Sequence, residues 1–157
     1  MKHFTKFILS AVFATFLLSA QANAQNTPVT NTTDGCDLYF KSQRLCAILG
    51  WQQEPSPFKD GRLEMIFWDY PNGLAQHLPF VDPDADQIRV QLWVPEQNQP
   101  PVEYIAQQET KDGYPVEGKY LATGLYFDHP GKWEITVQFL SHGQPTASGT
   151  LYYTVLK

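Results

Sequence analysis

The chain has 157 residues, 43% hydrophobic and 14% aromatic, with sixteen acidic against eleven basic residues for a formal charge of −5. That length supports one domain with its own core, and the negative balance argues against nucleic acid or anionic membrane surfaces as partners. Twelve prolines argue against a helical bundle, whose helix interiors proline breaks.

The first segment stands outside the fold. Lys2 and Lys6 precede an apolar run from Phe7 to Leu18, and Ala22-Asn23-Ala24 comes just before Gln25. A basic start, a short apolar core and small residues at the cleavage-determining positions predict a secretory signal peptide over 1–24. A membrane anchor is the other reading, but the run is well short of the roughly 20 residues that span a bilayer. No membrane span is expected after cleavage. The mature chain keeps nine basic residues against sixteen acids, a balance of −7. Residues 25–35, "QNTPVTNTTDG", are polar and aperiodic and read as a flexible leader. Asn31-Thr32-Thr33 matches a glycosylation sequon, of little meaning in a bacterial host, which this type of leader suggests.

Residues 36–157 are expected to form a single β-sandwich domain. Its first two strands, Leu38 to Phe40 and Leu45 to Trp51, would form a hairpin turning near Lys41 to Gln43, with Cys36 and Cys46 opposite each other across it. Export to an oxidising compartment favours a disulfide there. Nine intervening residues fit a zinc site poorly, because zinc ligands usually pair two to four residues apart. The next strand, Arg62 to Trp68, carries Leu63, Met65 and Phe67 in one phase. Trp68 falls in the other and is the best candidate for an exposed aromatic.

"DPDAD" follows. Asp82, Asp84 and Asp86 have the spacing that opens an EF-hand loop, but the sixth position is Gln87 and the twelfth is Trp93, where that loop needs Gly and Glu. A solvated turn is expected, with a looser calcium site as the alternative. In "QIRVQLWV", Ile88, Val90, Leu92 and Val94 alternate with Arg89 and Gln91, the mark of a half-buried strand. Further strands are expected over Val102 to Gln107 and Lys119 to Phe127. Trp133, Ile135, Val137 and Phe139 make the clearest inward face, and Leu151, Tyr153 and Val155 close the chain in the same way. "PSPFKDG", "YPNG", "PEQNQPP", "KDGYP", "HPG" and "SHGQP" punctuate these runs. About seven to eight short antiparallel strands with such turns point to an all-β, immunoglobulin-like sandwich.

The histidines His77, His129 and His142 stand too far apart in sequence to pair as metal ligands on one strand or helix face. His129 and His142 flank one extended strand, whose length keeps them from sharing an ion. Each reads first as a turn residue. Ser148 lacks the strand-turn-helix setting of a nucleophile elbow, and no carboxylate pair is favoured for glycoside chemistry. A non-catalytic protein is expected.

"VQLWVPEQNQPPVEY" at 90–104 and "GKYLATGLYFDHPGKWEITVQFL" at 118–140 resemble the FixH-like and YtkA-like domains of bacterial periplasmic proteins, small immunoglobulin-like sandwiches. The Gly131-Lys132-Trp133 strand start is the most specific piece. In that family the first stretch resembles a Trp-Met-Pro-x-Met-x-His loop, and a methionine precedes the Gly-x-Trp strand. The resemblance implies copper handling or respiratory-complex assembly, since thioether and imidazole ligands suit Cu(I). Aligned on Trp93 and Pro95, the soft-ligand positions here hold Val94, Gln97 and Gln99, and the second motif offers Asp128 and His129. Valine cannot ligate and a glutamine amide is a poor Cu(I) ligand, so the fold carries over and the copper role does not.

These readings converge on an exported, periplasmic binding or accessory domain that needs no cofactor and meets another envelope protein. Glu96, Gln97, Asn98, Gln99, Asp128 and His129 are the candidate binding-loop residues. The alternative is copper binding or delivery, with His129 as the metal ligand.

Overall fold

The computed structural model describes residues 36–70 and 80–156. The expected signal peptide, the leader with its sequon, and His77 lie outside the described residues. Eight strands follow in order: β1 (Leu38–Phe40), β2 (Leu45–Gln53), β3 (Asp60–Asp69), β4 (Gln87–Trp93), β5 (Val102–Lys111), β6 (Tyr114–Tyr126), β7 (Gly131–Ser141) and β8 (Gln144–Val155). Every pairing is antiparallel, and no described helix is long and apolar enough to cross a membrane. The all-β expectation of seven to eight strands is met.

The strand order β1-β2-β3-β6-β5-β4-β7-β8 forms one hydrogen-bonded sheet. An immunoglobulin constant-type sandwich arranges its strands as A-B-E-D and C-F-G, and β2-β3-β6-β5 and β4-β7-β8 follow that sequence. The two halves are not separate sheets here, because β5 pairs on both sides. Its first half, to Ala106, meets β4, and from Gln107 it meets β6.

The core is where the alternating faces of the two halves meet. Trp133, Ile135, Val137 and Phe139 on β7, and Ile88, Val90 and Leu92 on β4, are all buried, as the period of two requires. They face Leu63, Met65 and Phe67 of β3 and Phe40 of β1 in one cluster. Phe139 lies at its middle, stacked on Phe40 at 4.2 Å and edge-on to Phe67 at 5.4 Å. At the ends of the strand order, Gly149 of β8 leaves room for Leu38 of β1, whose Cβ lies 3.3 Å from where a side chain would begin. Trp51 of β2 packs on Tyr153 of β8 at 5.1 Å.

Two hairpins are tighter than their turn signals suggest. Asp112 and Gly113 (φ 54° and 84°) close β5 onto β6, and His142 and Gly143 (φ 51° and 75°) close β7 onto β8. Both are two-residue turns with positive φ at each position, the form that matches strand twist. Pro115 and Pro145 therefore lie inside strands, paired with Thr110 and Leu140, and each sits beside a register shift, where proline's missing N–H is tolerated.

The cysteine pair forms as expected, with S–S 1.95 Å and Cα–Cα 5.6 Å. Its placement differs from the expected one. Tyr39, not Cys36, stands opposite Cys46 in the hairpin; the chain bends at Asp37 and brings Cys36 back over it. Trp68 is not the exposed aromatic expected of it. It lies on the outer face, opposite Cys46, but is only 8% exposed, because it packs with the disulfide, Tyr39 and Tyr70.

Candidate functional site

The 94–101 connection and the 127–130 connection lie side by side. Trp93 ends β4 out of phase with Leu92, so its ring leaves the core. Its indole N–H donates to the Gln99 carbonyl at 3.1 Å, and Gln97 N–H donates to the Val94 carbonyl at 3.0 Å. These two bonds fold "VPEQNQPP" back over Trp93.

On the other side, Phe127 is fully buried and meets Trp133 edge-on at 5.1 Å. The chain then turns through Asp128, His129 and Pro130 into Gly131, whose φ of 141° favours a residue without Cβ. Trp133 anchors the turn: its indole N–H donates to the His129 carbonyl at 3.3 Å, and the His129 ring lies 4.9 Å from its own.

His129 bridges the two connections. Its Nδ1 is hydrogen-bonded to Asp128 Oδ1, and its Nε2 lies 3.5 Å from the Gln97 amide nitrogen. One tautomer fits both contacts: Nδ1–H donates to the carboxylate while Nε2 accepts from the amide. The imidazole is 31% exposed and the Asp128 side chain 56%.

Beside this bridge lies an open depression of about 150 Å³, lined by Trp93, Tyr104, Tyr126, Trp133 and Asp128 among others. The Tyr126 N–H donates to the Tyr104 hydroxyl at 3.0 Å, holding the two tyrosines together. Gln97 and Gln99 contribute to the same wall. Glu96 and His129 line a neighbouring hollow with Lys132 and Tyr152, where the Lys132 ammonium sits 4.1 Å from the Tyr152 ring centre. Asn98 is exposed at the loop's tip.

Five of the six loop residues named from sequence thus flank two adjoining hollows, and Asn98 lines neither. Sequence reading missed Tyr104 and Tyr126. The signal for Tyr126 was its place between the inward Leu125 and Phe127; Tyr104 had none comparable.

The other candidates go elsewhere. His142 occupies the β7–β8 turn, at the far end of β7 from His129, and its backbone N–H donates to Asp86 Oδ2 at 2.7 Å. Asp82 accepts from Gly118 N–H at 2.6 Å, from Gln108 and from the Tyr120 hydroxyl. Asp84 meets Gln43 through its backbone N–H and carbonyl. The three aspartates serve three different elements and do not converge on a calcium site. Met65 is fully buried in the core. Among the described residues, no three of His, Cys, Asp and Glu come together as a metal-holding group.

The class that fold and site define is an all-β antiparallel domain with a disulfide-linked first hairpin and a loop-built, aromatic-walled depression. Compared with family models, curated proteins and solved structures, the chain gives no significant match.

Proposed function

We propose that this chain is an exported, non-catalytic binding or accessory domain that meets another periplasmic or envelope protein through the 95–101 loop and the 128–131 turn. The carrying observation is that two connections about thirty residues apart in sequence are joined through Gln97 and His129 and share one depression. Loops held by a rigid sheet are where binding residues concentrate. The signal-like N-terminus and the disulfide support export to an oxidising compartment.

Site-specific photo-crosslinking tests it. A crosslinker in place of Asn98 captures a defined envelope protein in cells, whereas one in place of Asp112, at the other end of β5, does not. Equal capture from both positions, or none from Asn98, would overturn the assignment.

Copper binding or delivery is the second reading, and the observation that favours it is the partly exposed His129 imidazole beside a carboxylate. Calorimetry with anaerobic Cu(I), Cu(II) and Zn(II) separates the two. One-to-one submicromolar binding that His129→Ala abolishes would put the metal reading first.

A further inference from the structure

We propose that the depression beside His129 receives the guanidinium of an arginine side chain presented by the partner protein. The inference rests on the reading above and names the chemistry recognised there.

Size comes first. At about 150 Å³, the depression is well below the roughly 300 Å³ at which pockets for whole small-molecule ligands begin. It suits one side chain rather than a folded segment or a sugar chain.

The wall chemistry narrows the choice. Trp93, Tyr104 and Tyr126 line it with partly or well exposed aromatic side chains, and the buried Trp133 backs them; aromatic faces carry the negative end of the ring quadrupole and attract cations. The lining holds one carboxylate, Asp128, and no lysine, arginine or histidine. Asp128 directs Oδ1 to His129, and its Oδ2 meets no donor among the described residues. The side chain lines the depression and is 56% exposed. Gln97 and Gln99, neutral residues that carry acceptor oxygens, line the same wall. The charge of the chain, −5 overall, favours the approach of a cation.

Arginine fits better than lysine. Its planar, weakly hydrated head group stacks on aromatic faces while its N–H fork reaches a carboxylate and amide oxygens together, whereas an ammonium is a compact, strongly hydrated point charge. Tyr126, 44% exposed, would close over the stacked plane. Trp133, held edge-on by Phe127 and capped by His129, would fix the wall behind the other rings.

The experiment is an NMR titration of the exported chain with N-acetyl-arginine amide, in parallel with its neutral isostere, the citrulline amide, and with N-acetyl-lysine amide. The expected result is saturable shifts confined to the Trp93 indole N–H and the backbone of Tyr126 and Asp128, with citrulline binding at least about ten-fold weaker. Asp128→Asn and Tyr126→Ala should each weaken the arginine probe several-fold while the rest of the spectrum keeps its dispersion. Equal binding of citrulline, equal binding of lysine, or no shift at these residues would overturn the assignment. If the arginine probe fails while crosslinking from position 98 still captures a partner, the guanidinium inference falls and the binding-domain reading stands.

Discussion

Asp82 holds the segment that leads into β4. It accepts from a backbone N–H, a side-chain amide and a phenol at once. Gly118, the backbone donor, has φ +66°, and a Cβ there would lie 2.7 Å from the Phe67 carbonyl oxygen and from Phe80. Only glycine lets β6 pass so close to the Phe67 carbonyl and the Phe80–Val81 segment that leads to Asp82. Burial, then the Asp82 charge and the hydrogen bond to it, raise the Tyr120 phenol from 10.0 to about 12. The folded chain therefore holds that proton more tightly than the unfolded one. Its contribution to stability is full below pH 10 and is lost as pH rises towards 12. Urea unfolding across this range should show stability level to about pH 10 and then declining, with a shallower decline in Tyr120→Phe. Burial and Glu54 raise Tyr153 as well, so part of the slope remains in the variant. An unchanged slope would remove Tyr120 from the account.

At the scale of elements, the first hairpin depends on its cross-link. A disulfide closing so short a loop contributes about 2–3 kcal/mol by the chain-entropy estimate. The double variant Cys36→Ser, Cys46→Ser should lose about that much in urea unfolding, and more if Trp68, Tyr39 and Tyr70 lose their packing with it. Intact mass before and after reduction and alkylation reports whether the bond is present in protein purified without reductant. Two free thiols would contradict the pairing.

Strand interiors were legible because a sheet with one buried face imposes a period of two; β4 follows it throughout, and β7 follows it from Trp133 to Phe139 before Leu140 breaks the phase at a register shift. Strand ends were not. Pro115 and Pro145 read as loop, yet two positive-φ residues complete each turn before the proline arrives. Trp68 shows a related limit. Its phase gave the correct face, but the cover came from a cysteine thirty-two residues earlier. The site was legible as two loops and not as a depression, because alternation says only that Trp93 and Tyr126 leave the core, not that they meet.

At the scale of the molecule, Phe139 couples the halves. It touches Phe40 and Phe67 across the core, and β5 carries the hydrogen-bond ladder from one half to the other. Phe139→Ala should cost about 3–5 kcal/mol, a large share of the roughly 5–15 kcal/mol typical of a domain. Because the halves share one core, near- and far-ultraviolet circular dichroism should report a single, earlier transition. Two separated transitions would show that the halves fold independently.

A sheet of eight strands has two edges, and each is an invitation to strand addition by a stranger. Here Leu38 settles against Gly149 and Trp51 against Tyr153, so the first and last members of the strand order turn toward one another. Where they meet, each blocks the approach of a stranger's strand to the other, which works against β-augmentation and fibril-like stacking at that seam. A chain closed in this way is guarded at that seam against pairing with its own copies while it folds.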